Sequence, residues 1–150
     1  MSVNPFDIKT ILLAKHAQHV VMIHFPIALF TVGVLFDFLA QWTKHRVLTA
    51  AAYYNFLVAA IATIPVIITG FLAWRWALEG QRLKGILLMH LVFGCLSSLL
   101  LWIVWLIHNQ TQRKGGDLPT YRLPIEAVAV AIVTVTGHLG GFLSGVNGPG

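Results

Sequence analysis

The sequence predicts an all-α integral membrane protein: a four-helix bundle running up-down-up-down, with a short interfacial helix at the N-terminus. Three observations predict it. Four apolar stretches are each long enough to cross a hydrocarbon core, which takes about 20 residues as helix. Only 10% of the 150 residues are charged and 57% are apolar, whereas a soluble domain carries roughly 25% charged residues. The connections are brief and polar, which makes neighbouring helices antiparallel.

In chain order, residues 1–19 form a separate segment ahead of a transmembrane domain over 20–150. NPFDIKTILLAKHAQH reads as an interfacial helix, with Phe6, Ile11 and Leu12 turned to lipid. It lacks the basic start and small-residue cleavage site of a secretory signal. The first span is expected from Val20 to Trp42, the second from Ala50 to Trp76. The third is expected from Gly85 to His108 and the fourth from Pro124 to Val146. Between the last two, Asn109 to Leu123 reads as a polar loop through Gly115, Gly116 and Pro119. Pro26 and Pro65 each remove a backbone donor inside a span and should loosen the helix there.

The net charge of +5 comes from Lys and Arg in the connections and the N-terminal arm. That placement suits lipid head groups, and no span carries the basic stripe that nucleic acid would require. Calling the N-terminal face side A, five Lys and Arg fall on each side, so the positive-inside rule sets no orientation. Cys95 is the sole cysteine, which excludes a disulfide framework and an iron–sulfur cluster. No phosphate loop and no nucleophile–base pair is present, so the chain does not read as an enzyme acting alone.

Histidine placement carries the functional expectation, because ionisable groups within spans are rare and usually face the bundle interior. His24, His90 and His138 fall in the first, third and fourth spans, and His19 lies at the side-A boundary. Counting from that boundary puts all three span histidines in one leaflet, at depths of roughly 6 to 12 Å. His138 shares a stripe of small residues with Ala127, Ala131, Thr134, Gly141 and Gly145, the mark of a close-packing face, and is expected to point inward. His90 shares its face with Gly94, Ser97 and Ser98. His24 shares its face with Ala28 and Thr31, and the second span brings Thr69 and Gly70 to the same level. A lone imidazole in a span can equally serve only to bond a neighbouring hydroxyl or carbonyl. His45 and His108 stand at span ends on side B and are expected to be wet.

Imidazoles converging from separate helices suit a bis-histidine b-type haem, since neutral imidazole is a standard axial ligand. The first and third helices lie diagonally in a simple bundle, so His24 and His90 are the first candidate pair. His90 with His138, or His24 with His138, are the others; His19, Gly70 and Gly94 complete the candidate cofactor-binding set. The absence of CxxCH excludes covalent haem attachment. The same imidazoles would accept a transition metal, with His24, His90 and His138 as ligands. Trp42, Trp74, Trp76, Trp102 and Trp105 read as an aromatic belt, and Trp74 could also border a quinone pocket. Asp37 is expected to reach the interface, the alternative being that it faces the interior and serves a proton path, and Glu126 to be held by a helix dipole.

At HVVMIHFPIALF the chain resembles a bacterial four-helix membrane family known as domain of unknown function 2231, whose first-span pattern is close to H-P-x-x-V-H-F-P-I-A-L. His19, His24, Phe25, Pro26, Ile27, Ala28 and Leu29 match it, and Val20 replaces a proline. Thr69 and Gly70 resemble the family's TG turn, His90 its third-span histidine, and Gly137, Leu139, Gly140 and Gly141 its final G-x-L-G-G. His138 departs from that motif. The resemblance implies a multi-pass protein of a bacterial inner membrane. It also suggests membrane electron transfer, because relatives are joined to cytochrome c-like or Rieske-like domains. The expectation is a haem b-carrying subunit between a quinone pool and a redox partner. A cofactor-free anchor subunit of a larger respiratory or photosynthetic complex and a transition-metal site or carrier are the rivals.

Overall fold

A computed structural model describes residues 17–145. The helices among them are α1 (Ala17–Met22), α2 (His24–Thr43), α3 (Arg46–Trp76), α4 (Gly85–Lys114) and α5 (Arg122–Leu143). Counting Ala17–Thr43 as one span, four are long and apolar enough to cross a membrane. The expected interfacial helix falls mostly on 1–16, outside the described residues; 17–19 already belong to α1.

The break between α1 and α2 at Ile23 has a local cause. Pro26 has no N–H to give the carbonyl of Met22, one turn earlier. The ladder resumes with Ile27 N–H on Ile23 O at 3.4 Å. Pro65, by contrast, sits inside an unbroken α3. The third helix runs on to Lys114, beyond the expected end, and stops at Gly115, whose φ of 64° is the left-handed cap glycine favours.

Each of the four long helices, α2 to α5, buries a stripe. On α2 it is Pro26, Phe30, Gly33, Asp37 and Ala40; on α5 it is Arg122, Glu126, Ala129 and Val133. Both follow the three- and four-residue steps that keep side chains on one helix face. Helices α2, α3, α4 and α5 contact one another in ring order, with α2 and α4 on the diagonal. The outward surface is apolar, including Phe25, Leu35, Phe38, Ile64, Phe71 and Leu99, as acyl chains require. Trp42 and Trp76 lie exposed near helix ends, as an aromatic belt would have them. Trp102 instead turns inward, its indole N–H donating to Thr63 Oγ1 at 3.2 Å.

Between α2 and α3 the packing is closest at Gly33. Phe30 and Phe56 meet there with ring centres 5.5 Å apart. A Cβ on Gly33 would lie 2.8 Å from Phe56 Cε1 and 3.2 Å from Asn55 Cβ. In lipid no hydrophobic effect draws helices together, so this contact depends on small residues and dispersion. Gly33→Ala should therefore cost about 1 to 3 kcal/mol by overpacking, read as earlier unfolding in mixed micelles. Adding Phe56→Leu should recover part of that loss.

Candidate functional site

Two polar clusters stand at opposite ends of the bundle. The first, toward side A, joins α1, α3, α4 and α5 around His19 and His90. Their ring centres are 6.3 Å apart and their planes nearly perpendicular, at 86°.

The hydrogen-bond partner of His90 fixes which of its nitrogens carries a proton. His90 Nδ1 lies 3.1 Å from the carbonyl oxygen of Thr136. A carbonyl only accepts, so Nδ1 is the donor. His19 Nδ1 lies 3.2 Å from Thr69 Oγ1. Thr69 Oγ1 also lies 2.9 and 3.1 Å from the Pro65 and Val66 carbonyls, so when its hydroxyl proton serves α3 the His19 Nδ1 donates to it. In a neutral ring this leaves the lone pair on Nε2. Metal-ligating histidines are commonly held in this way through their other nitrogen.

Two glycines seat these rings. A Cβ on Gly70 would lie 2.9 Å from His19 Cε1, and one on Gly140 would lie 3.1 Å from His90 Cε1. Each imidazole thus rests against bare backbone of a neighbouring helix. Gly94 stands beside Thr136 rather than against a ring. Thr136 is itself fixed: its hydroxyl donates to Ile132 O and so accepts from Ser97 at 2.9 Å.

Neither His24 nor His138 joins this cluster, which corrects their expected inward orientation. Both are exposed, and so are Ala28, Thr31, Ala127, Ala131 and Thr134 on their faces. His24 satisfies Nδ1 one turn back along the same span, on Val20 O of α1 at 2.6 Å. His138 packs edge-on against Phe142. The physical reason is competition between faces. Asp37 on α2, and Arg122 and Glu126 on α5, are far costlier to leave in hydrocarbon than an imidazole or a small-residue stripe. They set the rotation of both helices, and His24 is thereby turned away from His90.

Those ions make the second cluster, toward side B. Arg122 Nε donates to Asp37 Oδ2 at 2.7 Å and Nη2 to Oδ1 at 3.4 Å, with Nη2 also on Gln41 Oε1 at 3.1 Å. Nη1 donates to the carbonyls of Leu118 and Pro119, which ties the α4–α5 loop to the guanidinium. Glu126 Oε1 lies 3.0 Å from His108 Nε2, and Phe56 packs against the His108 ring at 4.8 Å between centres. All four ionisable groups are essentially buried: Asp37 is 0%, Arg122 1%, Glu126 1% and His108 2% exposed.

The family model described as a predicted membrane protein (DUF2231) matches residues 15–148. The chain belongs to that family. No curated protein and no solved structure matches it. Within this DUF2231 chain the side-B cluster is what the sequence reading missed. His108 is buried rather than wet, Asp37 turns inward rather than to the interface, and Glu126 is paired across helices rather than held by a dipole alone. The available signal was the four-residue spacing of Arg122 and Glu126, continued by Ala129 and Val133 along one face.

Removing one partner of a buried ion pair strands the other charge, at about 3 to 5 kcal/mol. Arg122→Met should lower stability by that order in an SDS-unfolding titration. The double variant Asp37→Leu with Arg122→Met should lose much less, because no unpaired charge remains between those two positions.

Proposed function

We propose that the chain is a membrane-embedded electron-transfer subunit holding one b-type haem between His19 and His90. One observation carries this: two imidazoles from different helices stand with their ring centres 6.3 Å apart and their planes nearly perpendicular, His90 donating through Nδ1 to a backbone carbonyl. A metal–imidazole bond is about 2 Å long, so two imidazoles on opposite sides of one iron have ring centres roughly 6 Å apart. The 6.3 Å separation of His19 and His90 is of that size. Gly70 and Gly140 support the reading, because backbone flush against the rings leaves a flat ligand free of side chains on those sides. Haem iron supplies one-electron chemistry when bound. The residues of this chain hold the ligand nitrogens neutral, oriented and out of water.

A quinone pool and a redox partner meeting side A are the proposed source and sink of the electrons. The rival reading, a bare transition metal on the same nitrogens, uses the same donor set and differs in what elemental analysis and the visible spectrum record.

The purified protein should show a haem α-band in reduced-minus-oxidised spectra. His19→Leu and His90→Leu should each lose it, while His24→Leu and His138→Leu should keep it. No α-band in wild type, or one that survives loss of both His19 and His90, overturns the proposal.

A further inference from the structure

The side-B cluster has a charge count that defines what it can take up. Asp37 is negative and Arg122 positive, and the two cancel through their paired hydrogen bonds. Glu126 adds one negative charge, and a neutral His108 adds none. The cluster is then one positive charge short of neutrality, inside a segment where net charge is strongly penalised.

The ligand atoms of Asp37, His108 and Glu126 lie within 4.8 Å of one another, so a metal ion is the first occupant to weigh. A divalent cation would overshoot, leaving the cluster at plus one with the Arg122 guanidinium beside it. One proton brings the sum to zero. Placed on Glu126, it leaves His108 neutral and keeps the 3.0 Å link between His108 Nε2 and Glu126 Oε1.

The atoms also distinguish a loading point. Both Asp37 oxygens accept from Arg122. Glu126 Oε2 is buried and has no hydrogen-bond partner among the described residues. It is the one carboxylate oxygen of the cluster left uncovered. Glu126 lies one turn inside Arg122, roughly 6 Å along the helix, and the Leu118 and Pro119 carbonyls gather at that same end. The route to side-B water is short.

We propose that Glu126 and His108 form a buried site for one exchangeable proton, filled and emptied through the α4–α5 loop face. The groups facing it are Asp37 from α2, Phe56 from α3 and Arg122 from α5, with Gln41 bonded to the guanidinium. Tyr53 is engaged elsewhere, donating to Asn109 Oδ1 at 3.2 Å. Loading moves a proton from water to the pair, and unloading returns it, with no other bond changed. The site is independent of any haem at the other end.

Infrared difference spectra of the reconstituted wild-type protein, recorded while stepping the buffer between about pH 5 and about pH 8 around the imidazole range, test this. One protonated-carboxyl band should appear and vanish reversibly, and should shift on transfer to D2O. Glu126→Gln should lose that band while keeping its helical circular dichroism. If Glu126→Gln does not fold, the reversible, deuterium-sensitive band in wild type alone supports the site, and its absence refutes it. A carboxyl unchanged across the range, or one that never exchanges with deuterium, means a fixed ion pair and overturns the proposal. So does one equivalent of zinc or manganese retained by wild type and lost from Glu126→Gln.

Discussion

Everything at the side-A end depends on where two imidazole protons sit. In water a histidine changes tautomer at little cost. Between helices it takes the one its neighbours accept. Thr136 offers a carbonyl, and Thr69 a hydroxyl whose own proton is directed into α3. The Thr136 carbonyl can only accept, so His90 Nδ1 donates and its lone pair is placed on Nε2 in the neutral ring. The glycines at 70 and 140 let the rings lie against backbone, an arrangement that suits the ligand we propose.

The opposite end orients α4, which carries His90, and the helices α2 and α5 packed around it. Hydrocarbon offers no solvation to carboxylate or guanidinium, so Asp37, Arg122 and Glu126 must be satisfied inside the bundle. Pairing α2 with α5 through Asp37 and Arg122 fixes the rotation of both helices. Linking α4 to α5 through His108 and Glu126 adds a second tie. Once α5 is turned to bury its ions, Thr136 falls opposite His90, and His138 falls outward. One constraint thus explains both the histidine pair that forms and the one that does not.

The spans were legible because an apolar run long enough for a bilayer has few other uses. The bundle order followed from short connections. Thr69, Gly70 and His90 were legible as one level of the membrane, since rise per residue converts directly into depth. Rotation was harder. Small-residue stripes were taken as the inward face of α5, whereas ionic residues outrank them. His108 looked peripheral because the third span is expected to end there, six residues short of Lys114, and Arg122 because the fourth is expected to start at Pro124 rather than at Arg122. A helix one and a half turns longer carries His108 inside. Likewise α1 begins by Ala17, which moves His19 from the boundary into the span.

Electron paramagnetic resonance of the oxidised, purified protein examines the His19–His90 ligation most directly. Ferric haem between two imidazoles with nearly perpendicular planes should give a strongly anisotropic low-spin signal, carried by nitrogen nuclei of two histidines. A high-spin signal, a low-spin signal that persists without His90, or no haem signal at all would contradict ligation by this pair.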